Sequence, residues 1–216
     1  MKRSVKWISI ITISFFALAF SGFAIAADTI KVGVAGAHSG DLASYGLPTV
    51  NAAKLVVKKI NASGGVLGKQ VELLTEDDVC KPEVAGNTAT KLVSDGANVV
   101  IGHICSGATK SALGIYKNAN IITISPSATS PDLTLSGEYP NFFRTIAHDA
   151  VQAQVQAKYA VETLKVKTLA ILHDKGDYGK GQAEHEQKYF TEAGLKLVQF
   201  EGVTPGEVDY SDIVTK

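Results

Sequence analysis

Tryptophan is almost absent from this chain, the single copy being Trp7 near the N-terminus. Cysteine is nearly as rare, with only Cys80 and Cys105, too few for a disulfide-dense scaffold or a four-cysteine zinc site. Lysine and arginine never gather into a block, which argues against nucleic acid or an anionic membrane as partner. The five histidines (38, 103, 148, 173 and 185) show no zinc-ligand spacing, and no metal or cofactor is expected. Around Ser106 the chain reads HICSGAT, not G-x-S-x-G, so the hydrolase elbow does not match. GDYGKG (176–181) has the glycines of a phosphate loop but lacks its Lys-Ser/Thr ending. The acids Asp77 and Asp78 stand at a strand end, where solvation is the ordinary state.

What is there begins with an export pattern. MKRSVK carries three positive charges, and the fourteen-residue apolar run WISIITISFFALAF follows. SGFAIA then offers Ala24 and Ala26 as the small-x-small exit. A basic head, a short apolar run and a small-residue exit describe a secretory signal peptide over residues 1–26. The run falls short of the roughly 20 apolar residues a spanning helix needs, and none later reaches that length. Cleavage removes Lys2, Arg3 and Lys6 from the 21 basic residues, so 18 face 21 acids and the net charge becomes −3. In an oxidising compartment Cys80 and Cys105 most simply pair. The loop closed would be worth roughly 3.5 kcal/mol in the chain-entropy model.

Beyond the signal, short β-branched runs alternate with helical patterns. Strands are expected at 30–36, 71–78, 98–104 and 121–129. Helices are expected between and after them, with Gly64–Gly65 stopping the first and Pro82 opening the second. Segment 130–149, rich in Pro, Gly and polar residues, breaks the rhythm and reads as a crossing between two lobes. Two more strands follow, at 167–174 and 196–204. The pattern predicts an α/β fold with parallel, doubly wound sheets. The expected units are a first lobe over 27–146 and a partial second lobe over 147–216. Two strands cannot cover both faces of a lobe, so the sequence reads as a piece of a longer protein.

In open parallel sheets, ligands gather outside the C-terminal strand ends. Here those ends are AGAHSGDLASYG, DDVC, HICSGAT and SPSATSP. Ser106 stands where it can cap the next helix, and the free N–H groups of that first turn suit a carboxylate. Carbonyls of Ser127 and Ala128 and the hydroxyl of Thr129 suit an ammonium group, so the two loops could hold both ends of an α-amino acid. Periodicity alone leaves ordinary caps and turns open as the alternative. It also leaves open a nucleophile at Cys105 or Ser106, with His103 two residues before the cysteine.

The ordered motifs IKVGVAGAHSGDLASYG, NASGGVLGKQVELLTEDDVCKPEVA, VIGHICSGATKSALGIY, ITISPSATSPDL, FRTIAHD and AILHDKGDYGKG resemble those of the leucine/isoleucine/valine-binding proteins. These are the periplasmic components of branched-chain amino acid ABC transporters. The resemblance runs from about Asp28 to the last residue and implies a bilobed type I periplasmic-binding fold that closes on its ligand. It implies a Cys80–Cys105 disulfide, with Cys105 also lining the site. Ser106 matches the residue holding the α-carboxylate, and Thr129 one that touches both carboxylate and ammonium. Ser127 matches a backbone carbonyl for the ammonium, with Ala128 beside it. Tyr45 and Tyr178 match aromatics lining the side-chain pocket from either lobe.

Two departures stand out. Close relatives in the family carry two serines where this chain has Ser106-Gly107, and the family often has Ala at position 127. The resemblance also places an acidic ammonium partner and a further tyrosine beyond Lys216. The implied function is capture of a branched-chain L-amino acid in the periplasm by a monomer that serves a membrane permease. An exported sensor domain, a binder of a related amide, urea or aromatic acid, and an exported hydrolase are the alternatives.

Overall fold

The computed structural model describes residues 29–215, so the proposed signal segment lies outside the described residues. Five strands form one parallel sheet: β1 (Ile30–Gly36), β2 (Val71–Asp77), β3 (Val99–Ile101), β4 (Ile122–Ser125) and β5 (Phe142–Arg144). Their order is β2-β1-β3-β4-β5. The helices between them are α1 (Ala43–Ala62), α2 (Pro82–Ser94), α3 (Ser106–Asn118) and the short α4 (Asp132–Leu135). Then α5 (Asp149–Glu162) leads to a two-stranded parallel sheet of β6 (Thr168–His173) and β7 (Lys196–Gly202), with α6 (Asp177–Glu192) between them and α7 (Ser211–Val214) last. Among the described residues, no helix is long and apolar enough to cross a membrane.

The fifth strand corrects the sequence reading of 130–149 as a plain crossing. Phe142–Arg144 pairs with Thr123–Ser125, and α4 fills the gap before it. The expected third and fourth strands are also trimmed. Residues 102–105 and 126–129 leave the sheet and become loops, which frees them for the site.

The core follows from helix spacing. α2 turns Ala85, Thr88, Ala89 and Leu92 inward, and α3 answers with Ala108, Thr109, Ala112, Leu113 and Tyr116. Alanines at the contact let the two helices approach closely over Val100 and Ala35 of the sheet. Gly102 leaves β3 with φ +128°, and a Cβ there would lie 2.0 Å from the Ala35 carbonyl oxygen. Only glycine allows the turn that ends β3 so close to β1.

Candidate functional site

The chain leaves β1 toward β2 on one side and β3 toward β4 on the other, so the sheet order reverses between β1 and β3. Such a switch point opens a crevice outside the carboxyl ends of the strands. The loops after β1, β3 and β4 line it, and α5 and α6 bring residues from the second sheet's side.

Its first wall is tied down by the disulfide. Cys80 and Cys105 are bonded, with Cα atoms 5.5 Å apart, joining the loop after β2 to the start of α3. Cys105, not Ser106, is the N-cap of α3, and no side chain caps it. The first-turn N–H groups therefore have no capping oxygen. Ser106 opens the helix itself and is buried, and its Oγ accepts N–H bonds from Thr129 and Ser130, each 3.2 Å. One hydroxyl thus fastens the loop after β4 to the loop after β3.

Ser125, buried at the end of β4, tightens the same turn. Its hydroxyl donates to the His103 carbonyl at 2.6 Å and accepts N–H groups of Ser127 and Ala128. The Ala128 carbonyl accepts Arg144 Nη1 at 2.9 Å, and the Thr129 carbonyl accepts the Asp149 N–H at 3.0 Å. Ser127 Oγ meets Tyr45 Oη at 2.9 Å, so the hydroxyl at this position fixes the tyrosine of the opposing loop. Tyr45 and Tyr178 are 58% and 49% exposed, so both rings stand open to solvent in the crevice. Burial, and next the charge of Asp149 and the neighbouring Tyr45, push the Tyr178 phenol above the usual tyrosine range.

Behind the disulfide lies a polar network that the sequence did not reveal. His103 and Asp78, expected as a loop histidine and a solvated acid, are both fully buried. His103 Nδ1 stands 2.5 Å from Asp78 Oδ2, and Nε2 lies 3.0 Å from the Tyr116 hydroxyl. Burial, then the charges of Asp78 and Glu76, raise the Tyr116 phenol well above its usual range, so it stays protonated and can donate to the ring. The other Asp78 oxygen accepts the Cys80 N–H at 2.7 Å. Asp77 is also engaged, through Oδ1, with the N–H groups of His38 and Val79. These bonds leave His103 no role as a base for Cys105, whose sulfur is already in the bridge.

Asp149 is the other residue the motif reading passed over. An acid in the first turn of a helix reads as a routine terminal charge, and FRTIAHD gives no further signal. Here it is fully buried beside Thr129. Among the described residues, no cluster of three or more His, Cys, Asp or Glu could hold a metal ion.

A family model described as "Periplasmic binding protein" matches residues 29–216. The chain belongs to that family. It is 39% identical over 216 residues to a leucine-, isoleucine-, valine-, threonine- and alanine-binding protein of Pseudomonas aeruginosa, covering all of this chain and 58% of the relative. It is 42% identical over 200 residues to the Leu/Ile/Val-binding protein of Escherichia coli K12, covering 93% and 54%. Among solved structures it is similar to a branched-chain amino acid transporter substrate binding protein of Streptococcus pneumoniae in complex with isoleucine. That match has 34% identity and a TM-score of 0.76, covering 87% of this chain and 53% of the other. The chain thus spans little more than half the length of these relatives. The expected α/β architecture with parallel sheets agrees with that structure.

Proposed function

We propose that this periplasmic binding protein captures a branched-chain aliphatic L-amino acid and delivers it to the permease of an ABC transporter. The observation that carries the reading is the uncapped start of α3, held against the loop after β4 by Ser106, at the switch point of the sheet. Relatives at about 40% identity that bear leucine-, isoleucine- and valine-binding names support the ligand class.

In this reading the α-carboxylate takes the first-turn N–H groups and the hydroxyl hydrogen of Ser106, with Thr129 beside it. The ammonium takes the Ser127 carbonyl, and the Ala128 carbonyl keeps one lone pair beyond its bond to Arg144. Tyr45 and Tyr178 wall the aliphatic side chain from opposite sides, and Cys105 packs at the edge. The work is binding, without turnover. The proposed protein is exported by cleavage after residue 26, acts in the periplasm as a monomer, and divides into lobes at 27–146 and 147–216.

Calorimetric titration of the complete expressed protein with leucine, isoleucine and valine tests this. Saturable heat with at least one is expected. Absence of heat and of any thermal shift across all the amino acids would sink the reading.

A further inference from the structure

Asp149 is a buried carboxylate whose existence the fold does not explain. The residue is fully buried, and neither oxygen has a formed hydrogen bond. Taking an ionised carboxylate out of water without partners costs the fold free energy. Nothing in its own helix requires it, because α5 needs only a small polar residue at its first turn. A group that costs stability and carries full charge at a crevice wall points to binding.

Its surroundings say which end of a ligand it serves. Asp149 is locked to the loop after β4 by its N–H bond to the Thr129 carbonyl, and the Thr129 hydroxyl stands beside its carboxylate. Tyr178 on α6 lies within reach of the same charge. The cationic or titratable groups around it are His185 on α6, Arg144 at the end of β5 and the adjacent His148. Burial outweighs all of these and holds the carboxyl above its usual range. Arg144 spends its guanidinium on the Ala128 carbonyl and the Thr134 hydroxyl. No fixed cation is therefore bonded to the carboxylate.

We infer that Asp149 is a positioning residue that makes the site select an ammonium group: its carboxylate draws the Thr129 hydroxyl proton and leaves the Thr129 oxygen lone pairs facing the ligand. The negative charge next to Thr129 also favours a cation there and disfavours an anion. The inference deepens the amino-acid reading above and rests on it. The consequence is discrimination between an amino acid and the same molecule without its amine.

The test compares leucine with 4-methylpentanoate, which keeps the side chain and carboxylate and lacks the amine. Wild type should bind leucine and bind 4-methylpentanoate far more weakly. Asp149→Asn should lose about tenfold or more in leucine affinity, the scale of one charge-assisted interaction. Its affinity for 4-methylpentanoate should hold or rise, so the preference collapses. A merely structural role would lower both affinities alike, and that result overturns the inference. A second measurement needs no variant: carbon-13 titration of the Asp149 carboxyl in wild type. Leucine should move its midpoint to lower pH and 4-methylpentanoate should not. Equal midpoints with both ligands would overturn the inference while leaving the binding function standing. A wild type that takes no amino acid overturns both.

Discussion

The two sheets arise from the same strand-helix repeat but bury different things. Beneath the five-stranded sheet, Leu92, Leu113, Tyr116, Val34 and Val100 are fully enclosed. Around the two-stranded sheet the enclosed residues are mostly alanines, Ala153, Ala157, Ala160 and Ala183, joined by Ile171. Leu172, Val198 and Tyr159 are 50%, 60% and 55% exposed there, along a groove that also has Leu164, Leu169 and Phe190 in its walls. Because burial free energy grows with apolar area, large enclosed side chains contribute far more than alanines. The first sheet is thus the rigid frame on which Ser106, Ser125 and Thr129 are placed. The second contributes Tyr178 from a helix whose start is exposed.

The comparison can be broken at several places. The largest effect is expected at Asp78. Asp78→Ala strips buried His103 of its partner and Cys80 of its N–H acceptor, and should cost about 4 kcal/mol in urea unfolding. A loss near that of a surface substitution would show that the network behind the disulfide is not part of the frame. Reduction of Cys80–Cys105, which closes a separation of 25 residues, should cost roughly 3.5 kcal/mol. Equal melting with and without reductant would remove the bridge from the account. Leu92→Ala should cost about 3 kcal/mol, against about 0.5 kcal/mol for Val198→Ala. Similar losses at the two would erase the contrast between the sheets. Smallest is Ser106→Ala, at about 1.5–3 kcal/mol in amino-acid affinity by calorimetry. It should also cost about 1–2 kcal/mol of stability, since Thr129 and Ser130 lose their acceptor. Unchanged affinity there would detach the site from the frame.

How much of this was legible depended on whether the cause was local. β1 at Ile30–Gly36 and the start of α2 at Pro82 fall where the β-branched run and the proline put them. β5 was missed because three residues inside a polar segment form a strand only when Ser125 and its neighbours offer an edge. The loops carrying Tyr45, Ser106, Ser127 and Thr129 were readable as strand ends. Their mutual bonds were not, because Ser106 meets Thr129 and Tyr45 meets Ser127 only across the sheet. His103 looked like a loop residue for the same reason, since its partners Asp78 and Tyr116 sit on separate elements. Ser106 was read as the cap of α3, whereas it is the helix's first residue and Cys105 takes the cap. Asp149 stayed hidden because burial is a property of the whole packing, not of FRTIAHD.

Ser106 holds two consecutive backbone protons of the loop after β4 on one oxygen. That makes the region visible to solvent deuterium. The amides of Thr129 and Ser130 should trade their hydrogens slowly, while the neighbouring exposed turn at 136–138 trades quickly. The clock runs on a side chain some twenty residues earlier in the chain, so a ligand that grips the Ser106 hydroxyl should be read out as a change in the pace of exchange at two positions it need never touch.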